Sequence, residues 1–169
     1  NQSVTPVLLK KHAGFEKLEL FSLITSDDVL AGSPGFVFGG SADGSGLLKN
    51  EDKTFTFLVN HEDNFAVSRV TLDKTFKPVK GEYLLNSKGG TWRLCGATMA
   101  TPEEHGFGPV YLTSGESGEE SRTHALNPYG DVGAASVSKE LASFGRLSAE
   151  NALPLRKTAY NGKTVVVIG

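Results

Sequence analysis

The chain has 169 residues, one cysteine and a net charge of −2, with twenty glycines and seven prolines. This length predicts one domain with a buried core, and the lack of basic character argues against a nucleic-acid partner. No segment approaches the roughly 20 apolar residues of a membrane-spanning helix. One thiol cannot form an internal disulfide, and its W-R-L-C-G-A context predicts that Cys95 is a small buried hydrophobic residue, not a nucleophile or metal ligand.

Short runs of β-branched and aromatic residues, bounded by Gly, Pro, Asn, Asp and Ser, predict strands. In chain order these are Phe36–Phe38, Phe55–Val59, Ala66–Leu72, Trp92–Thr98, Val110–Thr113, Thr123–Leu126 and Thr164–Ile168. Apolar residues at helical spacing predict one short helix or a helical turn over Ser136–Phe144. Short antiparallel strands with frequent turns indicate an all-β sandwich, a barrel or propeller blades.

Two segments share a loose pattern in which a strand, an acidic turn and a returning strand follow one another. They are F-L-V-N-H-E-D-N…S-R-V-T-L-D and V-Y-L-T-S-G-E-S…T-H-A-L-N-P. Each predicts a hairpin, and such a pattern suits propeller blades. In the first pattern, the returning strand Ala66–Leu72 carries apolar residues on both alternating faces, which predicts a strand covered on both sides.

The first acidic turn, Asn60–Asn64, offers five polar side chains directly after a strand. Clustered oxygen donors of this kind suit calcium, which accepts several oxygens in flexible geometry. The alternative is a hairpin turn with solvated acids, which the sequence favours slightly. His61 is interpreted as a strand-end hydrogen-bonding residue and not as a ligand.

The second acidic turn, Ser114–Glu120, places three glutamates among glycines that allow close backbone approach to a ligand. Glu116 follows the strand at once and is the best candidate to point inward, whereas Glu119 and Glu120 are expected in solvent. Carboxylates this close repel one another unless a cation neutralises them or one takes up a proton. A solvated acidic turn is again the alternative.

Two further loops do not have the features of a binding site. Asp43–Gly46 lacks the spacing of a calcium-binding EF-hand loop and is predicted to be a glycine-rich hairpin turn. Pro102–Gly106 is predicted to be an exposed loop in which His105 has no support as a ligand. The sequence holds no nucleophile elbow, H-E-x-x-H, P-loop, dinucleotide fingerprint or zinc-spaced Cys/His set.

Taken in order, the motifs between Phe55 and Gly169 resemble the PhoX-type alkaline phosphatase family of exported bacterial β-propeller proteins. The order carries the resemblance, since each motif is short. The motifs are L-V-N-H-E at Leu58–Glu62, V-S-R-V at Val67–Val70, G-G-T-W-R-L-C-G-A-T at Gly89–Thr98, V-Y-L-T-S-G-E at Val110–Glu116, N-P-Y-G, F-G-R-L-S-A-E-N-A at Phe144–Ala152 and K-T-V-V-V-I-G.

The resemblance implies a propeller whose iron and calcium ions position a phosphate ester and stabilise charge in the transition state. It implies one propeller-like domain over residues 1–169 and a periplasmic or secreted location. Glu62 corresponds to the acid of the family's N-H-E, and Glu116 to the first acid of its C-E-E turn. Both are the predicted metal ligands, and calcium is the predicted metal.

The chain departs from the family in two ways. Ser114-Gly115-Glu116 stands where the family has an iron-ligating cysteine, which disfavours iron, and the chain is too short for a complete propeller of this type. A start at Asn1 and an apolar end at T-V-V-V-I-G favour the N-terminal part of a longer polypeptide. The resemblance therefore implies a phosphatase that acts on small phosphate esters. The alternative is a non-catalytic, propeller-like binding or structural subunit of an exported assembly, with protein partners.

Overall fold

A computed structural model describes residues 2–87 and 93–169 as an all-β protein, as the strand pattern predicted. Two four-stranded antiparallel sheets follow one another along the chain, each with its strands in sequence order, and a two-stranded sheet comes last. The strands are β1 Ala42–Lys49, β2 Phe55–His61, β3 Ala66–Leu72, β4 Pro78–Leu85, β5 Leu94–Ala100, β6 Val110–Gly115, β7 Thr123–Leu126, β8 Ser138–Glu140, β9 Ala152–Pro154 and β10 Val166–Ile168. None of the three sheets closes into a barrel.

Hydrophobic side chains from the first two sheets pack face to face in one core. Its buried members come from β2, β3, β4, β5, β6 and β7, together with Val137. The opposite face of the first sheet is covered by Leu30, Phe36 and Phe38 from the N-terminal segment. Strand β3 is therefore covered on both sides, as its sequence predicted, and each large side chain buried this way contributes roughly 1.5–3 kcal/mol.

The two predicted hairpins are present, since β2 pairs with β3 and β6 pairs with β7 in antiparallel register. Two other predictions are wrong. Phe36–Phe38 lies outside the named strands and contributes aromatic side chains to the core. Asp43–Gly46 is part of β1 and not a turn. Over Ser136–Phe144 the structure has two 3-10 turns, in line with the predicted helical turn, and not one short helix. The edge strand β8 lies between the two turns, because nine residues of helical spacing make a marginal helix and β7 offers pairing.

Two further differences concern the middle of the chain. The residues Pro102–His105 form the short helix α1, and His105 is buried, not in an exposed loop. Its ring Nδ1 accepts a hydrogen bond from the Thr101 backbone N–H at 3.1 Å. The predicted strand Trp92–Thr98 is observed as β5, and its proposed start at Trp92 lies outside the described residues.

The first two sheets share a structural feature that was not predicted from the sequence. In the first strand of the first two sheets, two residues face one on the neighbouring strand, which is a β-bulge. Asp43 and Gly44 form the bulge in β1, and Cys95 and Gly96 form it in β5. In the third sheet the N–H groups of both Glu150 and Asn151 donate to the Gly169 carbonyl at 2.9 Å.

The bulges bring the first strands of successive sheets into direct contact. A Cβ atom placed on Gly44 would lie 2.3 Å from the Ala97 nitrogen and 2.5 Å from the Cys95 carbonyl oxygen. A Cβ atom placed on Gly96 would lie 2.6 Å from the Glu150 carbonyl oxygen. β1 therefore packs against β5, and β5 packs against the segment that leads into β9.

Candidate metal centre

Three side chains that can ligate a metal converge where the first two sheets meet. Ligand atoms of Glu62, Cys95 and Glu116 all lie within 4.8 Å of one another. The Cys95 thiol donates to Glu116 Oε2 at 3.3 Å and lies 3.8 Å from Glu62 Oε1. The structure thus brings together the two acids predicted from the sequence and adds a thiol from a third position.

Glu62 and Glu116 occupy equivalent positions in the first and second sheets. Each follows the second strand of its sheet, two residues beyond the residue that faces the bulge. The Glu62 N–H donates to the Ser41 carbonyl at 3.1 Å, and the Glu116 N–H donates to the Arg93 carbonyl at 2.8 Å. These hydrogen bonds tie each glutamate to the residue that precedes the first strand of its own sheet.

Cys95 reaches the acids because it occupies the first position of the β5 bulge. A bulge adds one residue to a strand and changes the direction of the side chains around it, so that Leu94 and Cys95 are both buried although they are neighbours. The prediction that Cys95 is buried is confirmed. Sequence reasoning missed its position beside the acids, because that position depends on the bulge and on the contact between the sheets.

The buried side-chain amide of Asn60 links the strands that carry the candidate ligands. Asn60 is fully buried on β2, donates to the Cys95 carbonyl and to Thr113 Oγ1, the latter at 2.8 Å, and accepts from the Tyr111 hydroxyl at 2.9 Å. Buried polar groups of this kind are costly unless they are paired. Asn60 therefore fixes β5 and β6 relative to β2, and with them the three candidate ligands.

One arginine lies against the cluster. Arg93 Nε contacts Glu62 Oε1 at 2.7 Å, and an Nη atom of the same guanidinium contacts Asp63 Oδ1 at 3.4 Å. The Arg93 N–H donates to the Ser117 hydroxyl at 3.1 Å. The backbone of Arg93 is thus hydrogen-bonded to the turn Ser114–Glu120, while its side chain contacts the turn Asn60–Asn64.

The electrostatics keep the thiol protonated. Burial, the hydrogen bond to Glu116 and the negative charges of Glu62, Glu116 and Asp43 raise the pKa of Cys95 from 9.0 to about 12. A thiol with so high a pKa is a poor nucleophile at neutral pH, because the thiolate is the reactive form. A cation bound among these groups would reverse that effect and deprotonate the thiol.

The side chains of Glu62, Cys95 and Glu116 are suitable ligands for a metal ion. The thiol of Cys95 influences which metal they would prefer. Two carboxylates suit calcium, as predicted for Glu62 and Glu116. A thiolate is a soft ligand that favours zinc, iron or copper over calcium. The three residues together therefore fit a borderline transition metal better than calcium, and the two carboxylates alone fit calcium.

The remaining polar residues of the two predicted turns do not join the cluster. The His61 ring packs edge-on against Phe38, and its Nε2 pairs with the Ser68 hydroxyl at 2.8 Å, which fits its interpretation as a hydrogen-bonding residue. Asp63 is exposed beside Arg93. Glu119 and Glu120 are exposed as predicted, and Glu120 pairs with Arg122 and Arg146. Glu116, which was predicted to point inward, is also an exposed residue, although its carboxylate accepts from the Cys95 thiol.

Comparisons with family models, with curated proteins and with solved structures gave no match. Within residues 2–87 and 93–169, no helix has the length and apolar character needed to cross a membrane. Function must therefore be inferred from the site itself.

Proposed function

We propose that the sheets are blades of a β-propeller-type scaffold. Each of the first two sheets is a four-stranded antiparallel meander, and the two sheets pack face to face through one core. A bulge lies in the first strand of each of the first two sheets, and β1 contacts β5 there. In the third sheet the N–H groups of Glu150 and Asn151, just before β9, share the Gly169 carbonyl, and this segment contacts β5. Repeated meanders that pack in this way are the building unit of propellers.

On this scaffold, the chain is proposed to bind a metal ion and to hydrolyse phosphate monoesters in an exported, periplasmic or secreted, protein. The observation that carries the proposal is the convergence of Glu62, Cys95 and Glu116 within 4.8 Å. Glu62 and Glu116 would hold the ion through their carboxylates, and Cys95 would bind it as a thiolate. A bound metal supplies Lewis-acid polarisation of a phosphoryl oxygen and activation of water.

Metal titration of a chelator-treated sample tests the proposal. Calcium, iron and zinc are each titrated calorimetrically into the wild-type protein and into Glu116→Ala, and hydrolysis of p-nitrophenyl phosphate is followed on the same samples. We expect Glu116→Ala to weaken binding of the preferred metal at least about tenfold, since loss of an outer-shell partner alone costs 10–100-fold. Activity should fall in parallel.

The exposed Glu119 supplies the matched control, because Glu119→Ala removes an equal charge from the same turn. It should leave metal affinity within about twofold of wild type, because an exposed charge outside the cluster contributes little. The metal centre is disproved if none of the three metals binds to the wild-type protein. It is also disproved if Glu116→Ala binds as tightly as Glu119→Ala.

A non-catalytic binding subunit is the second candidate, favoured by an apolar cleft on the outer face of the second sheet. The cleft has a volume of about 360 Å³ and is lined by Phe107, Val110, Leu112, Ala125, Leu141, Phe144, Thr164 and Val166. A cleft of this volume and apolar lining could accept an apolar ligand or an apolar side chain of a partner protein. Metal binding without turnover, together with co-purification in a larger complex, would favour this candidate over the enzyme.

A further inference from the structure

Strand β10 has one edge without a neighbouring strand. Among the described residues it pairs only with β9. The Leu155 N–H donates to the Val165 carbonyl, and the Asn151 N–H donates to the Gly169 carbonyl, so every second residue from Val165 to Gly169 faces β9. In an antiparallel pair, the residues between these direct their N–H and C=O groups to the other side. On β10 those residues are Val166 and Ile168.

This free edge of β10 borders the apolar cleft. The side chains of Thr164 and Val166 line the cleft together with Leu112 and Ala125 of the second sheet. A small apolar molecule would fill the cleft but leave the backbone groups at the edge without a partner. An extended peptide strand satisfies both, because its backbone pairs with the edge while alternate side chains enter the cleft. The edge and the cleft together therefore favour a peptide strand over a small molecule.

The first two sheets show which position such a strand would take. β2 and β6, the second strands of their sheets, each pair with a third strand on the side away from the first strand. The residues that face the two bulges are Asn60 and Ser114. Gly169 corresponds to them, because its carbonyl accepts from two successive N–H groups. The residues three positions earlier in each sheet are Phe57, Tyr111 and Val166.

The third strands also show which side chains this position selects. Opposite Phe57 and Tyr111 lie the aliphatic residues Val70 of β3 and Leu126 of β7, both fully buried. Two positions before each of them stands a buried polar residue, Ser68 in β3 and His124 in β7. A strand that pairs with β10 should therefore carry a polar residue followed, two positions later, by an aliphatic residue opposite Val166. Cross-strand partners share a face of the sheet, so this aliphatic side chain would enter the cleft.

We propose that the free edge of β10 and the apolar cleft form a docking site for an extended segment of a partner protein. The segment adds to β10 as an antiparallel strand and places an aliphatic side chain opposite Val166. Backbone pairing supplies affinity, and the cleft supplies specificity for that side chain. The docking site rests on the second candidate function, the binding subunit, and is independent of the metal centre. A two-stranded sheet is marginal alone, so the added strand should also stabilise β9 and β10.

A peptide with the sequence of β7 is the probe, since β7 has the required pattern. Fluorescein-labelled Ser121–Pro128 is titrated with the whole protein, and binding is followed by fluorescence anisotropy. In the second sheet the Gly115 N–H donates to the Arg122 carbonyl, so in β7 the Leu126 N–H faces the second strand and the Ala125 N–H faces away. N-methylation at Leu126 therefore tests the edge, and N-methylation at Ala125 is the matched control.

We expect N-methylation at Leu126 to weaken binding at least about tenfold, because it removes a hydrogen bond and places a methyl group between the strands. N-methylation at Ala125 should leave the affinity unchanged. Leu126→Asp in the peptide should weaken binding about tenfold or more, since the cleft offers a carboxylate no partner. Amide hydrogen exchange at Val166 of the protein should slow when the unmodified peptide is bound.

Two protein variants complete the test. Val166→Asp should weaken peptide binding at least about tenfold. Val167→Asp should bind as the wild-type protein does, because this side chain lies on the opposite face of β10 and is 52% exposed. If Val166→Asp fails to fold, the peptide variants still decide, because they change no residue of the protein.

Three results would overturn the docking site, and each leaves the metal centre untouched. Equal affinity of the two N-methylated peptides would show that the cleft recognises an apolar side chain without strand pairing. A lack of saturable binding by the unmodified peptide would show that no strand of this pattern docks. Self-association of the wild-type protein in sedimentation velocity that Val166→Asp removes would assign the edge to a second copy of this chain instead of a partner protein.

Discussion

Cys95 is chemically unusual at the residue scale because a buried thiol faces two carboxylates. Its thiol donates to Glu116 and lies close to Glu62, and burial is the largest cause of its raised pKa. Without a cation the thiol stays protonated up to high pH. With one, it becomes a thiolate ligand, so metal binding should release a proton and strengthen as the pH rises.

The reactivity of Cys95 tests this electrostatic environment directly. At pH 9 we expect iodoacetamide to modify the folded wild-type protein far more slowly than the urea-unfolded protein, because the folded thiol has a pKa of about 12. Glu116→Gln should speed the reaction at least severalfold, since it removes a negative charge and weakens the hydrogen bond that the thiol donates. The rate is measured by mass spectrometry.

Glu119→Gln is the control, because it removes a charge from the same turn but outside the cluster. It should leave the rate of modification close to that of the wild-type protein. Equal rates in folded and unfolded wild-type protein would show that the thiol is neither shielded nor surrounded by negative charge.

The three candidate ligands differ in how far the sequence could identify them. Glu62 and Glu116 each follow an apolar strand directly, so their position at a strand end is readable from local pattern alone. Cys95 lies inside a strand pattern that predicts simple burial. Only the bulge in β5 and the contact of β1 with β5 bring its thiol to the acids, and in the local sequence only the glycines Gly44 and Gly96 mark them.

At the element scale, the bulges that join the sheets explain why glycine is found in β1. The run around Gly44 was predicted to be a turn because glycine is common in turns. In the structure, Gly44 lies within a strand where any side chain would meet the backbone of β5. A glycine inside a strand often marks a bulge or a close backbone approach, and here it marks both.

Gly44→Ala should therefore destabilise the protein strongly. Its Cβ atom would lie 2.3 Å from the Ala97 nitrogen and 2.5 Å from the Cys95 carbonyl oxygen, and backbone atoms cannot move aside as a flexible side chain can. We expect a loss of about 3 kcal/mol in the free energy of unfolding, the upper part of the usual range for overpacking. Urea unfolding followed by circular dichroism measures it.

Gly35→Ala is the matched control, because a Cβ atom there meets nothing within 4 Å. It should change stability by no more than about 1 kcal/mol, with a gain expected from the loss of chain entropy in the unfolded state. Equal stability of Gly44→Ala and Gly35→Ala would show that β1 and β5 do not touch as described.

At the scale of the whole molecule, one histidine is buried in each of the two large sheets. His61 lies on β2 and pairs with Ser68, and His124 lies on β7 and pairs with Ser138 at 3.2 Å. Among the described residues, His61 Nδ1 and His124 Nε2 have no hydrogen-bond partner. Burial is the largest cause that lowers the pKa of both histidines, and it outweighs the opposing effects of the Gly39 and Gly40 backbone at His61 and of the Glu140 charge at His124.

These lowered pKa values predict that mild acid destabilises the fold. Below the ordinary histidine value of 6.5 the unfolded chain takes up protons that the folded protein resists. The unfolded state then binds more protons, so the free energy of unfolding falls as the pH falls. This contribution is fully present above pH 6.5 and is lost progressively as the pH drops toward the lowered values of the folded protein.

Urea unfolding at pH 7.5 and at pH 5.5 measures the effect. The wild-type protein should show a lower urea midpoint at pH 5.5, and His61→Gln and His124→Gln should each reduce the difference between the two midpoints, since each removes one titrating group. His12→Gln, at an exposed position in the N-terminal segment, should keep the wild-type difference. If the two buried-site variants keep it as well, groups other than these histidines cause the acid sensitivity.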